Sequence, residues 1–249
     1  MRLPYLQVDT PFPPTRLALT AAQGANGLLA AGADLSVDRL VAAYSRGIFP
    51  WFSEGEPILW WSPSPRMLLH VDQFKVSRSL RKTLRACSLS PDWQFTMDTA
   101  FDQVILACAE PRDGQAGTWI MPEMQQAYAR LHAAGYAHSI EAWFQGHLVG
   151  GLYCVALGRM VFGESMFSRR TDASKMALAH LVDWVSKRGV KVIDCQQNTR
   201  HLASLGAFEV SRQQFEDHVT NGMQYPALDW APGPLTMAAP QTAASDGNT

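Results

Sequence analysis

No two cysteines of this sequence lie close enough to form a CxxC pair. The four cysteines, Cys87, Cys108, Cys154 and Cys195, are widely separated, which argues against a structural zinc site or a thioredoxin-like dithiol and favours free thiols in a reducing compartment. None of the seven histidines stands four residues from another with a carboxylate between, so the helical metal-site signature is missing too. No stretch approaches the ~18 uninterrupted apolar residues of a membrane span. The start, Met1-Arg2-Leu3-Pro4-Tyr5, lacks the ~7–15-residue apolar run of a secretion signal. The expectation is a soluble, cytoplasmic protein without a membrane partner. Net charge is small as well, because 21 basic residues against 22 acidic leave −1. Any contact with nucleic acid must then come from a local patch.

What is present suits a globular enzyme. Of the 249 residues 47% are hydrophobic and 17% charged, ample for a buried core. Pro4, Pro11, Pro13 and Pro14 keep the first segment extended. A short helix follows, capped by Ser36, with Leu40, Val41 and Tyr44 as its buried stripe and Gly47 as its stop. The aromatic, proline-punctuated segment from Gly47 to Pro63 reads as strand and loop, and marks the end of a small N-terminal domain over residues 1–65. Helices are expected at about 77–86, 99–110 and 122–134, the last opened by Pro122 with Met124, Tyr128 and Leu131 on one side. Residues 137–168 alternate as an antiparallel meander with turns at Gln145-Gly146 and near Gly158. A capped amphipathic helix from Asp172 to Arg188 and a strand over residues 190–194 complete an α+β pattern assigned to residues 66–235. Residues 236–249, poor in bulky apolar side chains, read as a disordered tail.

Chemistry concentrates in Gly163-Glu164-Ser165-Met166-Phe167-Ser168 and Ile193-Asp194-Cys195-Gln196. Each ends an expected strand, placing Glu164 at one edge and Asp194 with Gln196 on one face of the other, with Cys195 turned to the opposite side. An acid and an amide facing one cleft could orient an attacking amine and relieve it of a proton. Equally, such residues could satisfy backbone groups where strands end. Cys195 with His180 or His201 would describe a thiol nucleophile and its base, or a small core residue. A serine nucleophile at Ser165 lacks the second glycine of an elbow. On a helix Arg78, Arg81, Lys82 and Arg85 make one cationic face opposite Leu80 and Leu84, which suits RNA phosphates or plain solvent. Trp51, Trp60, Trp61 and Trp119 are either core or the walls of a pocket that stacks on a base.

Together with Asn26-Gly27-Leu28-Leu29-Ala30, Gly47-Ile48-Phe49-Pro50-Trp51-Phe52, Leu59-Trp60-Trp61-Ser62-Pro63, Gly117-Thr118-Trp119-Ile120 and Ala203-Ser204-Leu205-Gly206-Ala207, these blocks resemble, in order, those of the leucyl/phenylalanyl-tRNA–protein transferases. The likeness spans about residues 26 to 207. It implies a small N-terminal domain followed by an acyl-CoA N-acyltransferase-like domain working without coenzyme A, metal or another cofactor. It implies transfer of Leu or Phe, less readily Met, from leucyl- or phenylalanyl-tRNA to acceptor proteins with N-terminal Arg or Lys, marking them for degradation. By the same resemblance Asp194 and Gln196 activate the acceptor amine and Glu164 is the pocket carboxylate. Trp51 and Trp119 lie near the terminal adenosine, with Tyr44 and Tyr128 beside them. Leu152, Leu178 and Leu181 take the transferred side chain, and Arg78, Arg81, Lys82 and Arg85 bind tRNA.

Overall fold

The computed structural model describes residues 3–111 and 118–237. Gly117 and the part of the expected tail from residue 238 onward lie outside the described residues. The N-terminal part contributes β1 (Tyr5–Leu6), β2 (Leu28–Gly32), α1 (Val37–Tyr44), β3 (Phe49–Pro50) and β4 (Leu59–Trp61). Its four strands form one sheet in the order β1-β2-β4-β3. Helix α1 starts where the sequence places it because Ser36 Oγ accepts the Arg39 N–H, satisfying an end group that would otherwise lack a partner. Gly47 then turns the chain at φ +68°, and a Cβ there would lie 2.3 Å from the Phe215 ring. Only glycine suits both the backbone angle and the close approach.

The larger part runs β5 (Arg66–His70), α2 (Arg78–Ser88), β6 (Trp93–Met97), α3 (Phe101–Ala109), α4 (Pro122–Ala133), β7 (Ala137–Phe144), β8 (His147–Leu157), β9 (Met160–Ser168), α5 (Ala173–Ser186), β10 (Val192–Asp194), α6 (Arg200–Ser204), β11 (Phe208–Val210), α7 (Arg212–Met223) and β12 (Gly233–Pro234). Its eight-stranded sheet has the order β11-β5-β10-β9-β8-β7-β6-β12. The fold class is α+β. The meander β7-β8-β9 forms as read from alternation, and Gln145 and Gly146 at φ +50° and +77° supply the left-handed pair that a two-residue hairpin needs. One buried cluster holds Trp60, Phe12 and Tyr44 of the first part together with Phe101, Tyr128 and Phe162 of the second. The two sheets therefore share a core.

Two elements differ from their sequence reading. Helix α5 is buried on most of its circumference rather than amphipathic, because it packs on β7, β8 and β9 while α2 covers it. Asp172, at φ +62°, makes no side-chain capping bond. Its carboxylate is 2.7 Å from Lys175 Nζ instead. Strand β9 runs to Ser168, where the meander is expected to end, but Glu164 lies within the strand and not at its edge. Its pairing with β8 runs from Tyr153↔Ser165 to Cys154↔Gly163, so Glu164 is the extra residue of a β-bulge. A bulge leaves one residue out of the ladder and re-aims its side chain.

Candidate active site

Strands β9 and β10 run parallel but are paired only at Val161–Ile193 and Phe162–Asp194. Beyond those pairs β10 stops while β9 continues, and a cleft of about 570 Å³ occupies the gap. Gly163, Glu164, Ser165 and Met166 line it from β9, and Ile193, Cys195, Gln196 and Gln197 from the end of β10. Leu152 of β8 and Leu178 and Leu181 of α5 add an apolar wall. The two α5 leucines reach it together because they are three residues apart on one helical face.

Glu164 carries the unusual electrostatics. Burial pushes its carboxyl up to about 7, and the charge of Asp194 adds to the rise against the hydrogen bonds of Tyr44 and Tyr128 and the charge of Arg66. Tyr44 Oη lies 2.8 Å from Oε1 and Tyr128 Oη 3.2 Å from Oε2, and the two phenol oxygens are also in hydrogen-bonding contact, so the two O–H protons are shared within this triad. Both rings are buried and neither lines the cleft. They lie behind Glu164 and pin it, because α1 and α4 bring them into the shared core. Trp51 and Trp119 do line the cleft. Trp51 is 42% exposed and meets Trp61 edge-on at 5.4 Å.

Asp194 is placed differently from its reading as a cleft-facing acid. It is fully buried and pairs with Arg66, Nε to Oδ1 at 2.8 Å and Nη2 to Oδ2 at 2.6 Å. The guanidinium lies over the rings of Phe215 at 4.3 Å and Phe49 at 4.9 Å. Asp194 Oδ1 also accepts the Gln196 backbone N–H at 3.0 Å. Asp194 thus stands behind the wall and Gln196 on it. Strand alternation fails to carry from one to the other because β10 ends at Asp194 and Gln196 turns to φ +54°. For the same reason Cys195 lines the cleft and does not turn away from it. Burial, and then the Asp194 charge, push its thiol well above the ordinary range, the reverse of an activated nucleophile. His201 lines the cleft as well, whereas His180 lies off it, stacked on Phe95 at 3.8 Å.

Arg66 and Tyr153 were not singled out in the sequence. The available signal for Arg66 is one charge at the head of an apolar strand, Met67-Leu68-Leu69, since a buried charge requires a partner. Arg78, Arg81, Lys82 and Arg85 stay exposed on α2 while Leu80 and Leu84 are buried. None of the four lines the cleft, and none has an ion pair among the described residues. Off the cleft wall, Asp98, His132 and His138 bring possible metal-ligand atoms within 4.8 Å of one another. His138 Nδ1 is 2.7 Å from Asp98 Oδ2 and His132 Nδ1 is 2.7 Å from the Ala137 carbonyl, so each ring already has a protein partner. No helix among the described residues is long and apolar enough to cross a membrane.

A mixed sheet with two parting parallel strands, and a cleft that joins an apolar wall to polar groups, mark an α+β protein with a candidate binding cleft. The comparisons narrow this. Residues 68–220 match the family model described as leucyl/phenylalanyl-tRNA protein transferase, and residues 33–64 match that of its N-terminal domain. Relatives so named include those of Bordetella petrii, 59% identical with 94% of each chain covered, and Polaromonas sp., 57% identical with 92% of this chain and 90% of the relative covered. The chain belongs to the leucyl/phenylalanyl-tRNA protein transferase family. Solved structures that superpose on it include FemX, with TM-score 0.43 and 10% identity over 72% of this chain and 70% of that one. A GCN5-related N-acetyltransferase from Kribbella flavida gives TM-score 0.33 and 8% identity over 69% and 60%.

Proposed function

We propose that this enzyme transfers Leu or Phe, and less readily Met, from aminoacyl-tRNA to the N-terminal amine of cytoplasmic proteins that begin with Arg or Lys, and that the product is thereby marked for degradation. The observation that carries this reading is the junction of two unlike walls in one cleft: Leu152, Leu178 and Leu181 on one side, and the Glu164 carboxylate on another. The leucines suit a flexible or flat apolar side chain. A cation placed beside Glu164 would favour its charged form, which gives a basic acceptor residue an advantage over a neutral one. Trp51 and Trp119 offer faces for the terminal adenine, since base–aromatic stacking is worth about 1–3 kcal/mol per base. The exposed cations of α2 supply phosphate contacts farther along the tRNA.

The chemistry asks little of the protein beyond alignment. An aminoacyl ester is already activated, so the acceptor amine attacks its carbonyl carbon directly and the ribose oxygen leaves with the amine proton. No acyl-enzyme is needed, consistent with the unactivated Cys195 thiol. Gln196 meets the amine through its carboxamide oxygen. Asp194 acts through Gln196, holding its backbone N–H while Arg66 neutralises the carboxylate. The test is transfer of radiolabelled Leu from purified leucyl-tRNA to peptides that differ only in their first residue. Arg and Lys should accept and Asp, Ser or Met should not. Equal transfer to all of them would refute the role given to Glu164.

A further inference from the structure

Among the described residues, two side chains on the cleft wall hold a buried polar atom without a hydrogen-bond partner, Tyr153 through Oη and Gln196 through Nε2. Burying a hydroxyl with no partner opposes folding. Phenylalanine would fill the same ring site without that cost, so packing gives no reason for the hydroxyl.

The ring is rigidly held. Tyr153 has no exposed surface, and it meets Tyr128 edge-on at 5.5 Å and Phe101 edge-on at 6.1 Å. Its backbone pairs with Ser165, next to the bulge that sets Glu164. The ring therefore fixes the place of the hydroxyl beside the cleft. Burial, with Tyr128 and Glu164 adding, raises its pKa well above that of an ordinary phenol, and it remains a proton donor at neutral pH.

We propose that Tyr153 Oη and Gln196 Nε2 are the donors that hold the carbonyl oxygen of the aminoacyl ester as it becomes an oxyanion. This rests on the transfer reading above. The bond formed is between the acceptor nitrogen and the carbonyl carbon, and the π pair moves onto the carbonyl oxygen, where the two neutral donors meet it. Collapse returns that pair, breaks the bond to the ribose oxygen and leaves the amine proton on it. Tyr153 keeps its own proton throughout. Donors already fixed in place stabilise a developing charge without the reorganisation that solvent must undergo.

Tyr153→Phe removes the hydroxyl and keeps the ring. Steady-state and single-turnover transfer from leucyl-tRNA to an Arg-starting peptide should fall about 10²- to 10³-fold in kcat, with both KM values unchanged. The melting midpoint should stay the same or rise, since an unpartnered buried hydroxyl is gone. The double variant Tyr153→Phe/Gln196→Met should lose less than the product of the single losses, because both donors serve one oxygen. An undiminished kcat in Tyr153→Phe overturns the assignment. So does a lowered melting midpoint, which would show that the hydroxyl has a structural partner, or a loss confined to KM. Absence of transfer by the unaltered enzyme overturns the transfer reading and this assignment with it.

Discussion

Replacing Asp194 by Asn keeps the side chain's shape and removes the charge that the Arg66 guanidinium faces. Both groups are almost inaccessible to solvent, at 1% and 0% of side-chain exposure, so water cannot take over from the lost partner. Stranding one member of a buried pair costs about 3–5 kcal/mol. For a chain of this size each kcal/mol moves the melting midpoint by about 2–4 °C, which places the expected fall at roughly 6–20 °C. Arg66→Met combined with Asp194→Leu removes both charges and should recover most of that loss, because an apolar pair of similar volume avoids desolvating ions. Activity should not recover with it. The leucine of the double variant leaves the Gln196 N–H without an acceptor, and a misplaced Gln196 should slow single-turnover transfer about 10²-fold. The assay is thermal unfolding by circular dichroism beside transfer at a temperature where every variant is folded. If Asp194→Asn melts within about 2 °C of the unaltered protein, or the double variant melts no higher than the single one, the Arg66–Asp194 pair is not the constraint described here.

Other consequences concern pH, RNA and the thiol. The folded protein holds the Glu164 proton up to about 7 against a usual 4.5, so it binds more protons than the unfolded chain between those values. The stability from this group is complete below pH 4.5 and is lost as pH rises toward 7, and urea titrations should show Glu164→Gln gaining on the unaltered protein across that window by up to about 3 kcal/mol. A variant that tracks the unaltered protein at every pH would contradict the shift. Replacing Arg78, Arg81, Lys82 and Arg85 together should weaken tRNA binding and flatten its salt dependence by about 0.7–0.9 in log–log slope per lost phosphate contact. Folding should be kept, since exposed charges contribute little to stability, and an unchanged slope would remove α2 from the RNA surface. Cys195→Ala should retain most of its transfer rate, and loss of all activity in a folded variant would establish the thiol mechanism instead.

Periodicity and end signals are local, and they made much of the fold legible. The Ser36 and Pro122 helix starts, the buried stripe of Met124, Tyr128 and Leu131, and the meander turning at Gln145-Gly146 all depend on residues within a few positions of one another. The blocks that carry the family likeness are local too, and Glu164, Gln196, Trp51, Trp119 and the three leucines indeed come together at one cleft. Side-chain direction at that cleft was not legible. Whether Asp194 faces the cleft depends on where β10 stops, and that follows from its pairing with β5 and β9. Whether Glu164 enters it depends on a register shift against β8. The Arg66–Asp194 pair joins residues separated by 128 positions, and Tyr44 meets Glu164 across 120. Contacts of that kind leave no periodic trace, because the free energy that selects them comes from burying charges and hydroxyls against partners that only the folded chain brings near. The sequence by itself thus determined the elements, the family and the residues gathered at the cleft, while the tertiary structure decided which of those side chains reach the substrate space and which hold the others in place.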